Sequence, residues 1–163
     1  MKKFLVVIVS LLLLCGCELK KQTNSNDDKY LNLIETLNDR TTFLESSEFF
    51  DITTDIAKTN DAYRYYVIID NPKNAMYDVE AVAVERGVNY TLNMAANIGV
   101  FEEMDYNLLP GQANPSKGYV SGLSISGVSS TPNPTLYLVV QWYSSKQDIH
   151  QEFYQLEVNF EEE

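Results

Sequence analysis

Histidine occurs once in this chain, tryptophan once and cysteine twice, and both cysteines fall within the first seventeen residues. Each scarcity removes a class of chemistry. A Ser–His–acid relay needs an imidazole between nucleophile and carboxylate. The only imidazole, His150, lies in "SSKQDIHQE", which reads as the hairpin between the last two strands. Ser144, Ser145 and Asp148 are its sequence neighbours, yet a solvated hairpin tip supplies no dry, preorganised oxyanion site. His150 is therefore expected as a solvated turn histidine. A zinc site needs several Cys or His ligands, which this chain does not have to give. Its seven glycines form no Gly-x-Gly-x-x-Gly loop for a phosphate. Basic residues are few, twelve Lys and Arg against twenty-three Asp and Glu for a net charge of −11, and through the domain they are scattered singly. Nucleic acid or anionic lipid would require clustered positive charge. Long apolar runs are also absent. Phe4 to Leu14, broken by Ser10, falls short of the roughly 20 residues that span a bilayer.

What is present begins with that short run. Lys2 and Lys3 precede it, and the small-residue segment after it ends at Cys17, the layout of a secretory signal. "Leu14-Cys15-Gly16-Cys17" resembles a bacterial lipobox, in which a small residue precedes the acceptor cysteine. The resemblance implies cleavage after Gly16, diacylglyceryl transfer to the Cys17 sulfur and acylation (palmitate-class) of the new amino terminus. Two or more acyl chains give stable attachment, at about 0.8 kcal/mol per buried methylene. Residues 1–16 are then a lipoprotein signal peptide, and Cys17 is an attachment point with no disulfide partner. The expected location is the cell membrane, on its extracytoplasmic side.

Cleavage would leave 147 residues, enough for one domain with a core. All the acids survive and two lysines are lost, so the charge moves to −13. Residues 17–28 comprise the cysteine and a polar stretch, "ELKKQTNSNDD", read as a flexible tether. Residues 29–163 form the domain. Tyr30, Leu33, Ile34 and Leu37 recur at helical spacing and predict one short helix, with Asn26, Asp27 or Asp28 available to cap it.

From Phe43 onward the period becomes two. Strands are predicted at "FFDITTDI", "YRYYVIID", "YDVEAVAVE", "YTLNMAANIGVF", "GYVSGLSIS", "TLYLVVQWY" and "FYQLEVNF". About seven short strands between turn signals predict a mostly β fold, an antiparallel immunoglobulin-like β-sandwich behind an N-terminal helix. Trp142 aligns with Leu136, Leu138 and Val140 and belongs to the core. Two loops, 102–117 and 126–134, carry four of the five prolines and are placed where sandwiches bind.

"VIIDNPKNAMYDVEAVAV", "LLPGQ" and "GYVSGLSI" together resemble small immunoglobulin-like domains of bacterial lipoproteins of the FxLYD type, on Asn71, Tyr77, Val79, Val82, Leu109, Pro110 and Gly111. The family's Tyr-Asp signature is replaced by "AVAVERG" in its strand. Such domains bind or space, so the resemblance implies no reaction. The run Glu102 to Asn107 gathers four oxygen-bearing side chains but lacks EF-hand spacing, and is read as a solvated acidic turn with calcium as the alternative. Among eleven tyrosines, Tyr66 and Tyr143 fall opposite the apolar faces of their strands and are the candidate binding surface. The expectation is a non-enzymatic, membrane-anchored surface lipoprotein, without cofactor or metal, that engages a protein partner in the cell envelope. A small-ligand binder, for glycan or calcium, is the alternative.

Overall fold

The computed structural model describes residues 25–90, 95–144 and 148–162. Cys15, Cys17 and the signal segment lie outside the described residues. Helix α1 spans Ser25–Asp39, and nine strands follow: β1 (Asp51–Lys58), β2 (Tyr63–Asp70), β3 (Tyr77–Glu85), β4 (Ala96–Ile98), β5 (Asn107–Leu108), β6 (Tyr119–Val120), β7 (Gly122–Ser129), β8 (Thr135–Tyr143) and β9 (Ile149–Glu157). The chain is mostly β, as its alternating apolar pattern requires.

The helix forms where the 3.6-residue stripe stands, and it buries Tyr30, Leu33, Ile34 and Leu37. Asp27 and Asp28 occupy its first turn, where the exposed N–H groups favour negative charge. Helix therefore reaches back into the stretch assigned to the tether. Ser25 to Asp28 belong to α1, because polar first-turn residues satisfy a helix start as readily as they solvate a linker.

Two open antiparallel sheets pack face to face. One has the order β1-β2-β7 and the other β4-β3-β8-β9, while β5 and β6 make a separate two-residue parallel pairing. Tyr65, Val67 and Ile69 from one sheet meet Val79, Ala81, Leu138, Val140 and Trp142 from the other in the main core. Trp142 is buried, as expected. A second core lies outside the four-stranded sheet, where α1 covers Val82, Val84, Val139 and Phe153. This explains why β3 lacks strict alternation: Ala81, Val82, Ala83 and Val84 are buried in succession because both faces are covered.

Among the described residues there are nine strands where about seven were expected, and the boundaries move. "GYVSGLSIS" divides at Ser121 into β6 and β7, and the additional β5 lies inside the first proline-bearing loop. The last strand starts at Ile149, not Phe153, because β8 runs to Tyr143 and its ladder carries β9 with it residue for residue from Thr135↔Glu157 to Tyr143↔Ile149. The polar outer positions of β9, Gln151 among them, hid this from an apolar pattern.

One glycine in β7 is fixed by its neighbour. Gly127 pairs with Tyr65, and a Cβ there would stand 2.2 Å from the Tyr65 hydroxyl oxygen and 2.3 Å from Cζ. The tyrosine ring occupies the space a side chain would need. Gly127→Ala should therefore destabilise the fold by about 1–3 kcal/mol through overpacking, read as a lower urea midpoint; an unchanged midpoint would mean the ring moves aside freely. Leu37→Ala, which empties the α1 interface, should lower stability by about 2–5 kcal/mol in the same titration.

Candidate functional site

The chemistry-bearing side chains gather at the end of the sandwich where β1 begins, β2 ends and β3 begins. The turn after β2 is closed by Asn71, whose φ of 47° lies in the left-handed region that Asn tolerates. Its Nδ2 donates to Asp51 Oδ2 at 2.7 Å, and Lys73 Nζ lies 2.9 Å from Asp51 Oδ1. These two contacts, the Asn71 hydrogen bond foremost, hold the exposed Asp51 carboxyl below the usual carboxylate range. The Lys73 backbone N–H donates to Phe49 O at 2.8 Å, which ties the turn to the segment before β1.

A second left-handed residue, Asp78 with φ 50°, marks a β-bulge in β3. The register passes from Tyr77↔Tyr143 to Glu80↔Gln141, three residues on β3 against two on β8. The extra residue turns Tyr77 to the outer face, opposite Tyr143. The bulge is pinned from outside: Asp78 N–H donates to Asn107 Oδ1 at 3.1 Å and Val79 N–H to Tyr106 O at 2.8 Å. The acidic run Glu102–Asn107 is thus partly structural. Tyr106 packs against the core, and Asn107 holds the bulge. Among the described residues, no group of three or more His, Cys, Asp or Glu stands where it could hold a metal ion.

His150 departs from expectation. It is a strand residue of β9 directly opposite Trp142, on the inner face, and its ring stacks on the indole at 5.3 Å with 13° between planes. Phe49 lies 5.5 Å from the imidazole and 5.3 Å from the indole, so His150 is packed among aromatic rings and does not stand at a turn tip. Phe50 meets Trp142 edge-on at 5.5 Å. The Trp142 indole N–H is buried and meets no acceptor among the described residues. Beside this stack, Tyr154 Oη and Ser47 Oγ both donate to Glu152 Oε2. Burial first, and then the Glu152 bond, push the Tyr154 phenol well above its ordinary pKa.

Tyr66 and Tyr143 are each half-buried, and the fold does not bring them together. Tyr66 stands between Asp55 and Ser126 on the outer face of the three-stranded sheet. Tyr143 stands between Tyr77 and Ile149 on the outer face of the four-stranded sheet. The two faces look in opposite directions. Leu109, Pro110 and Gly111 form a turn closed by Gln112 N–H to Leu109 O at 3.1 Å. They line a cleft of about 350 Å³ with Asn71, Pro72 and Ser121, and most of that lining is exposed. A cleft of about 390 Å³ on the other side of the turn is lined by Ser47, Phe50, Asp51, Ile52, Lys73 and Leu156.

A polar row crosses the outer face of the four-stranded sheet next to the start of α1. Gln151 donates to Gln141, Gln141 Nε2 donates to Glu80 Oε2 at 3.4 Å, and Lys29 of α1 pairs with Glu80. Periodicity could not reveal this clasp, because Lys29 and Glu80 are fifty-one residues apart.

Comparison with protein-family models and with curated proteins finds no match for this chain.

Burial is the largest influence on Glu80 and raises its pKa, while Lys29 pulls the other way and Asp78 and Asp105 add to the rise. A carboxyl whose pKa rises on folding takes up a proton more readily in the folded state. Its contribution to stability is therefore fully present below the ordinary Glu value and fades as pH climbs through the raised value. Glu80→Gln keeps an amide oxygen for Lys29 and removes the buried charge. It should raise the melting temperature at pH 7 and lose that advantage as pH falls toward 4; a variant less stable than wild type at pH 7 would mean the ion pair outweighs burial.

Proposed function

We propose that this chain is a membrane-anchored, non-enzymatic surface lipoprotein whose domain engages a protein partner on the extracytoplasmic side. The observation that carries the reading is "Leu14-Cys15-Gly16-Cys17" placed between a short apolar run and a polar stretch that leads into α1. The strand orders β1-β2-β7 and β4-β3-β8-β9 support an immunoglobulin-like arrangement, the architecture expected of a binding or spacing module. The packing of His150 against Trp142 and Phe49 supports a structural role for the one imidazole.

The partner surface is best sought around Tyr66. The outer face of the three-stranded sheet pairs Tyr66 with Asp55 and Ser126, and Arg64 with Val128, which is 56% exposed. It is the broad sheet face that α1 does not cover. A half-exposed tyrosine on a rigid strand offers large contact area at small loss of side-chain freedom. The small-ligand alternative rests on the cleft beside Leu109–Gly111. It predicts thermal stabilisation by glycans or calcium, which the protein-partner reading does not.

Two measurements test the proposal. Cys17→Ala should move the protein from the membrane fraction to the soluble fraction of cells; continued co-fractionation with lipid would overturn the anchor. Crosslinking in intact cells should give one adduct with the wild-type protein that Tyr66→Ala weakens at least several-fold while melting normally. An adduct indifferent to Tyr66 would move the partner elsewhere.

A further inference from the structure

Resting on that anchor, we propose that the domain is held end-on to the bilayer, with Tyr77, Tyr143 and Ile149 seated in the lipid headgroup region. Two independent features of the molecule converge on this end. The first is where the chain enters. Lys29 of α1 reaches Glu80, and Tyr30 reaches the backbone of Ala95 and the ring of Phe101, whereas residues past the helix meet Phe153 through Arg40 and Tyr137 through Phe43. The helix thus starts beside the Glu80–Gln141 pair and runs away from it. Seven residues lie between Cys17 and Ser25, so the chain covers eight residue steps from one to the other. Eight residues span at most about 28 Å when fully extended, so lipid at Cys17 keeps the start of α1 within that distance of the membrane surface.

The second feature is what stands there. One step further along the same outer face than the Glu80–Gln141–Gln151 row comes Tyr77–Tyr143–Ile149, three laterally adjacent side chains from β3, β8 and β9. Ile149 is 59% exposed, the most exposed large apolar residue described, and Met104 in the neighbouring loop is 53% exposed. Tyr77 belongs to this row only because the bulge at Asp78 turns it outward. A left-handed non-glycine residue, bonded through its N–H to Asn107 and followed by Val79 bonded to Tyr106 O, is local strain maintained for that orientation. Tyrosine beside Ile and Met suits the membrane–water boundary, where an apolar body and a polar tip are both satisfied. The anchor makes the contact intramolecular in effect, so a weak surface suffices.

Charge sets the kind of lipid. Asp78, Asp105 and Asp148 lie at this end, and the mature chain would carry −13. The row therefore fits a zwitterionic surface, and anionic lipid repels it.

The full lipidated chain is reconstituted into phosphatidylcholine vesicles with an environment-sensitive fluorophore on Ile149→Cys or, as the opposite-end control, on Val88→Cys. The expected result is flotation of both, a blue-shifted emission quenched by headgroup-labelled lipid at position 149, and neither change at 88. Adding phosphatidylglycerol should reduce the shift at 149, and salt should restore it. Flotation with equal, unshifted emission at both positions overturns the docking and leaves the anchor standing, as would preferential contact of a protein with the row. Failure to float overturns the anchor and the docking with it.

Discussion

Burial of one sheet on both faces is the constraint from which the remaining architecture follows. The four-stranded sheet presents Ala81, Ala83, Leu138 and Val140 to its partner sheet and Val82, Val84, Val139 and Phe153 to the other side. Left uncovered, that second set would be a broad apolar patch on the surface, a liability for any soluble domain. α1 exists to close it. Its stripe of Tyr30, Leu33, Ile34 and Leu37 matches the patch, and burial of each such side chain is worth about 1.5–3 kcal/mol. The three-stranded sheet, by contrast, is apolar on one face only, which is why Tyr66 and its polar neighbours remain accessible.

That asymmetry was only partly legible in the residues. The helix stripe stood out because a 3.6-residue period is local, and β2 and β8 because their inner positions alternate cleanly. β3 showed more apolar residues than one face needs, and the cause is α1, whose last residue Asp39 stands thirty-eight positions before Tyr77. The same non-locality hid His150. Nothing in "SSKQDIHQE" says that the β8–β9 ladder continues to Tyr143↔Ile149, yet that register alone decides whether the imidazole is solvated or laid against Trp142. The Asp78 bulge was invisible for a related reason: Asp is an ordinary turn residue, and its N–H bond to Asn107 and the adjoining bond from Val79 N–H to Tyr106 O pin it left-handed inside a strand.

The candidate site was legible in its residue types and illegible in its grouping. Tyr66 and Tyr143 share the property of facing away from the inner core, and the fold then separates them to opposite sides of the molecule. The acidic stretch Glu102–Asn107 drew attention by charge, while its structural weight falls on Tyr106 and Asn107. Asn71, read as a turn residue, also supplies the hydrogen bond that organises Asp51 and Lys73.

The position of α1 also determines how the domain would bear load. A pull applied at Ser25 acts first on a helix lying across a sheet and not on a strand within one. Because α1 runs away from the end at which the chain enters, such a pull is directed along the helix and loads Lys29, Tyr30, Leu33, Ile34 and Leu37 together, in shear against the sheet. Beyond the helix, tension would next meet the Leu44 N–H bond to Phe153 O and then the bond between Lys73 N–H and Phe49 O, before any of it reached β1. The sandwich sits behind this series of contacts, and a tug on its leading end must pass through them before it reaches the strand ladders.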